Sequence, residues 1–182
     1  MKIKKSTLPE KSSLNIQTAQ YDYIDSYQAA ILDSKNQLQA TAVGKAFFSS
    51  APNWVGQLFE FRNKIVAVFG LKTSAKTANR EALLAAFKCE VGEQLGLFKV
   101  FESNENEVIL GENDKHLDFR ISLFLEPIQE RNSEKTITIS TTVLFHNRFG
   151  KIYFLPVKPF HKKIVPVMLK GIIKHLEQQL NS

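Results

Sequence analysis

The sequence predicts an α+β fold in which a curved antiparallel sheet packs against one long C-terminal helix, with two short helices after the first strand. Four consecutive segments, "LGLFKVFES", "NEVILGEN", "KHLDFRISLFLEP" and "KTITISTTVLFHN", are rich in β-branched and aromatic residues, and "NEN", "END" and "IQERNSE" are short and polar enough to turn between them. A final stretch from about Phe149 to Leu180 carries Tyr153, Pro156, Phe160, Ile164 and Val167 at helical spacing. Ahead of the four strands lie two further apolar stripes at three- and four-residue steps.

In chain order, residues 21 to 31, "YDYIDSYQAAI", set Tyr21, Tyr23, Asp25, Tyr27 and Ala29 against Asp22, Ile24, Ser26, Gln28 and Ala30, an imperfect alternation that reads as a strand. Asp33 or Ser34 suits the cap of a helix starting near Lys35, with Leu38, Ala42, Phe47 and Phe48 as its stripe. Pro52 fits the first turn of a second helix, where Trp54, Leu58, Phe61, Ile65 and Phe69 recur until Gly70 stops it. Residues 72 to 79 are small and polar, as a loop requires, and Arg80 to Cys89 has room for a helical turn. After the four strands, Pro156, Pro159 and Pro166 divide the last stretch into one kinked helix or two consecutive ones.

Composition is that of a globular chain: 43% hydrophobic and 23% charged residues, with fourteen Phe supplying apolar bulk. The length suits a single domain over residues 19–182 behind a flexible N-terminal segment, 1–18. That segment is basic but lacks the apolar run of a signal peptide, and no stretch approaches the roughly 20 residues that span a bilayer, so a soluble cytoplasmic protein is expected. The single Cys89 rules out an intramolecular disulfide and a Cys-rich zinc site, and reads as buried filler. Of the net charge of +6, residues 147 to 182 hold seven bases and one acid, whereas residues 100 to 134 hold nine acids and three bases. Complementary segments of one fold account for this asymmetry, and no nucleic-acid-binding motif accompanies the basic end. A basic amphipathic helix also allows contact with a membrane surface.

The strand alternation fixes a register. If residues 116 to 126 and 135 to 146 form a hairpin, Leu117, Phe119, Ile121, Leu123 and Leu125 must share a face with Ile137, Ile139, Val143 and Phe145. A turn centred near residue 131 then brings His116 opposite or nearly opposite His146, and gathers His116, Asp118, Arg120 and His146 at one end of the other face. Those four, joined by His161, are the candidates for acid–base chemistry, with Arg120 to hold an anion. The same alternation is also what a strand with one solvated face requires. No Walker A loop, His-Glu-x-x-His, Gly-x-Ser-x-Gly or paired-Cys motif is present, and no metal or other cofactor is expected.

"GENDKHLDFRISL", "HNRFGKIYFLPVKPFHKKIVP", "FFSSAPNWVGQLFEFRNKIVAVFGLK" and "VGEQLGLFKV" together resemble the bacterial DUF2867 family, a domain of unknown function, over most of residues 40 to 172. The resemblance implies a helix-grip architecture similar to the START and Bet v 1 superfamily, whose sheet and C-terminal helix enclose a cavity for apolar ligands. It also implies that relatives carry this domain behind a dinucleotide-binding domain; with no G-x-G-x-x-G here, any such partner is a separate protein. On this basis the chain is expected to bind a small apolar or amphipathic molecule, lined by Phe119, Ile121, Val143, Phe145, Tyr153 and Phe160 with Trp54 at the mouth. The competing expectations are an enzyme, or enzyme partner, using the His/Asp/Arg cluster, and a peripheral membrane or interaction protein using its basic C-terminal helix.

Overall fold

A computed structural model describes residues 1–50, 80–128 and 133–180. Seven antiparallel strands form one open, curved sheet: β1 (Lys4–Ser6), β2 (Tyr23–Leu32), β3 (Gln94–Leu95), β4 (Phe98–Ser103), β5 (Glu107–Asn113), β6 (Leu117–Pro127) and β7 (Glu134–Phe145), in the order β1-β2-β7-β6-β5-β4-β3. Among the described residues the α-helices are α1 (Ala40–Ser49), α2 (Arg80–Ala86) and α3 (Arg148–Leu180). The expected α+β architecture, a curved antiparallel sheet gripping a long C-terminal helix, is the one observed.

The β6–β7 register is the one the apolar alternation demands. Leu117 faces Phe145, Phe119 faces Val143, Leu123 faces Ile139 and Leu125 faces Ile137. With a side-chain period of two, a slip by one residue would exchange the buried and outward sets of both strands. On the concave side, Ile31, Leu110, Leu123, Ile137 and Ile139 meet Leu169, Ile172, Ile173 and Leu176 of α3, all buried almost completely. Each such aliphatic side chain contributes roughly 2 kcal/mol on leaving water. Val43, Ala46, Phe47 and Phe48 of α1 close the same core, with Cys89 beneath them. A Cβ at Gly44 would come within 2.6 Å of the Cys89 sulfur, so a helix packs this close only without a side chain there.

Asp33 does not cap a helix near Lys35. Its carboxylate accepts the N–H groups of Gln37 and Leu38 and an ion pair from Lys135 at 2.9 Å, which fixes an irregular turn and delays α1 to Ala40. The helix expected after Pro52, with Trp54, falls outside the described residues. α2 occupies the stretch expected to hold a helical turn, and the four predicted strands are present, the first divided into β3 and β4 around Gly96. α3 is continuous through Pro156, Pro159 and Pro166.

Two elements carry no periodic signal in the sequence: β1, paired to β2 at the sheet edge, and a 3-10 helix over Ser13–Gln20. The segment leading into that helix lies on the convex face. Leu8 and Leu14 pack on Ile109 with Tyr21 and Phe101, while the Ser12 hydroxyl and the Ser13 N–H donate to the buried Glu107 carboxylate at 2.5 and 2.8 Å. Among the described residues no helix is long and apolar enough to cross a membrane.

Candidate functional site

The two faces of the sheet carry different polar groups. On the convex face, Oδ1 of Asp118 lies 3.0 Å from Nε2 of His146, both side chains partly exposed. His116 is opposite His146 through the backbone, its carbonyl accepting the His146 N–H. Its ring does not turn toward that pair: it lies 4.6 Å from the Phe149 ring and within hydrogen-bonding reach of the Asn147 amide. Arg120 donates to the carbonyls of Phe119 and Glu112 and to Asn113, and its guanidinium sits 3.7 Å over the Phe101 ring. Burial draws its pKa down from the usual arginine value. Asp118 and His146 are therefore brought together, while His116 and Arg120 are held by separate neighbours.

The middle of this face is not wet, contrary to the half-solvated strand that alternation suggests. Ser26, Ser122, Thr138, Ser140 and Thr142 are buried. Ser26 donates to Ser140 across β2 and β7, and Ser122 donates to Glu107. These bonds satisfy the buried serine hydroxyls.

His161 belongs to the concave face. Its Nδ1 lies 3.2 Å from Oδ2 of Asp25, an oxygen that also accepts the Tyr23 hydroxyl at 2.7 Å. Asp25 is only 6% exposed and occupies the strand phase that otherwise carries Tyr23, Tyr27, Ala29 and Ile31 into the core. Its other oxygen, Oδ1, is buried without a hydrogen-bonding partner among the described residues, as is Oγ1 of Thr141, the residue directly across from it on β7. Among the described residues, Oδ1 of Asp118 and the hydroxyls of Thr138 and Thr142 are also buried without a hydrogen-bonding partner, but on the convex face. Burial, then the hydrogen bond to Asp25, pushes the Tyr23 phenol well above its usual pKa, so it acts there as a donor. The ring is edge-on to Phe154 at 4.9 Å, and the Lys158 ammonium stands 5.2 Å over it.

From Asp25 and Thr141 the row of side chains continues across the sheet through Ile121 and Leu110. In the adjoining row are Tyr23, Val143 and Phe119. Of the candidate lining residues, Ile121 and Val143 are buried here, and Phe119, Phe145 and Tyr153 are half-buried near the start of α3. Phe160 is 55% exposed, and Trp54 lies outside the described residues. A cleft of about 410 Å³ opens elsewhere, at the β4–β5 turn, between Lys11, Asn104 to Glu107 and Phe124 to Pro127. Among the described residues no three His, Cys, Asp or Glu side chains converge as a metal site requires.

Sequence reasoning missed Asp25 and Tyr23. The available signal was a carboxylate in the phase of a strand otherwise filled by Tyr and Ala.

A family described as "Protein of unknown function (DUF2867)" matches residues 17–168. No curated protein matches the chain. Among solved structures, a crystal structure of a conserved protein from Geobacillus kaustophilus is similar at 10% identity, covering 86% of this chain and 96% of its own, with a TM-score of 0.38.

Proposed function

We propose, for a chain that belongs to the DUF2867 family of proteins of unknown function, that the concave face of the sheet binds a small amphipathic molecule beneath α3, apolar along its body and hydrogen-bond-donating or cationic at its head. The observation that carries this is the unpartnered Oδ1 of buried Asp25 beside the unpartnered Oγ1 of Thr141. Leaving a buried polar atom unsatisfied costs roughly 1–3 kcal/mol, more for a charged one, so a carboxylate oxygen in this position calls for a donor. The body of such a molecule would lie along the apolar row through Ile121, flanked by Phe119 and Val143, displacing α3 from part of it.

Dodecylamine and dodecanoate share a chain and differ in head, which makes them suitable probes. Titration calorimetry is expected to show binding of the amine and not of the acid, and Asp25→Asn is expected to weaken it at least tenfold. Equal binding of both probes, no binding of either, or indifference to Asp25→Asn would sink the proposal.

A second reading, acid–base catalysis, is favoured by the Asp25–His161 contact. A carboxylate that accepts the Nδ1 proton leaves Nε2 of a neutral imidazole free to take one from a substrate. Asp118 with His146 offers a similar pair on the opposite face, while the hydrogen bonds of Arg120 go to Glu112, Phe119 and Asn113.

A further inference from the structure

The outward side of α3 is the least explained surface of the molecule. Ile152, Leu155, Pro156, Pro159 and Phe160 follow one another at intervals of three, four, seven and eight residues from the first, so they form one stripe on the helix. Phe154, Val165, Met168, Leu169 and Ile172 take the opposite side and are buried. The stripe is turned to solvent: Ile152 is 64%, Leu155 63% and Phe160 55% exposed. Scattered apolar residues on a surface are ordinary, but a row of large ones along two turns of one helix marks an interaction site.

Charge identifies the occupant. Exposed Arg148, Lys151, Lys162, Lys163 and Lys170 surround the stripe, and no acidic residue occurs between Glu134 and Glu177. A two-fold dimer through the stripe would bring two basic rims together. Nucleic acid would pair with the lysines but leave Ile152, Leu155 and Phe160 in water. An anionic bilayer surface answers both features, with headgroup charge for the lysines and the headgroup–acyl boundary for the apolar side chains. Pro156 and Pro159 leave the carbonyls four residues before them without their helical N–H partners, a defect that hydrated headgroups accommodate.

We infer that the outward face of α3, from Arg148 to Lys170, docks on an anionic membrane surface. The inference does not depend on the Asp25 site, which lies on the other side of the helix.

Flotation of the whole protein with phosphatidylglycerol-containing vesicles tests it. At about 0.1 M salt the protein is expected to float with these vesicles and not with pure phosphatidylcholine, and at about 1 M salt, where the screening length falls to about 3 Å, at least tenfold less is expected to bind. Ile152→Glu with Phe160→Glu, and separately Lys162→Glu with Lys163→Glu, are each expected to abolish flotation while leaving the circular dichroism melt unchanged, since all four side chains are exposed. Absence of flotation with the anionic vesicles, equal flotation with neutral ones, or flotation undisturbed by either double variant overturns the inference. A wild-type dimer that Ile152→Glu with Phe160→Glu converts to monomer also overturns it, assigning the stripe to self-association.

Discussion

Asp33 illustrates how one side chain relocates a helix boundary. It follows the last residue of β2, and its carboxylate is claimed by the Gln37 and Leu38 N–H groups and by Lys135 from β7. Burial alone would raise its pKa, but the Lys135 ammonium and the two N–H groups outweigh it and hold the carboxyl below its usual range. A carboxylate with a depressed pKa in the folded state contributes stability that is present above about pH 4, the unfolded value, and lost as pH falls through the lowered folded value. Asp33→Asn is therefore expected to cost about 3 kcal/mol at pH 7, because it leaves Lys135 without its counter-charge. The deficit is expected to shrink as pH drops below 4, which urea titrations of both proteins at several pH values would measure. Cys89 is a contrasting case: burial pushes its thiol up to about 12, so it remains protonated and unreactive at neutral pH. A maleimide reagent is expected to label it only after unfolding.

At the scale of elements, α3 is placed by its first turn. Asn147 ends the β7 connection, and its Oδ1 accepts the Gly150 N–H at 3.0 Å, as a residue capping a helix does. Gly150 then lets the helix approach the start of β6 so closely that a Cβ there would sit 2.2 Å from the His116 carbonyl oxygen. Backbone cannot yield to a methyl group as a flexible side chain can. Gly150→Ala is expected to cost about 1–3 kcal/mol by displacing α3 from the sheet end, with a lower denaturant midpoint at an unchanged slope. An unshifted midpoint would mean the helix start is free to move. The β6–β7 hairpin was legible in advance because its apolar alternation admits one register. The first helix was not, because nothing local to Asp33 announces that Lys135, about a hundred residues later, will take part.

At the scale of the molecule, the N-terminal segment ties the convex face together. Glu107, 1% exposed, accepts from Ser12, Ser13 and Ser122, which come from opposite parts of the chain. Leu8 and Leu14 cover Ile109 beside it. Removing residues 1–16 and substituting Glu107→Ala delete partners of one network. Each is expected to destabilise by about 2–3 kcal/mol, and the combined loss is expected to fall short of the sum. A strictly additive result in guanidinium unfolding would show that segment and carboxylate act independently.

The α+β class, the order of the strands after residue 94, the pairing register of β6 with β7 and the long C-terminal helix are all legible in the amino-acid pattern. These depend on side-chain periods of two and near 3.6, which local sequence displays. Which polar groups meet depends on long-range packing. That packing sent His161 to Asp25 across 136 residues of chain, kept it apart from the Asp118–His146 pair, and covered hydroxyls that alternation would leave in water. The reason is physical: a residue's phase on its own strand or helix is a local property, whereas its partner is fixed by how distant elements pack, and no spacing along the chain encodes that distance.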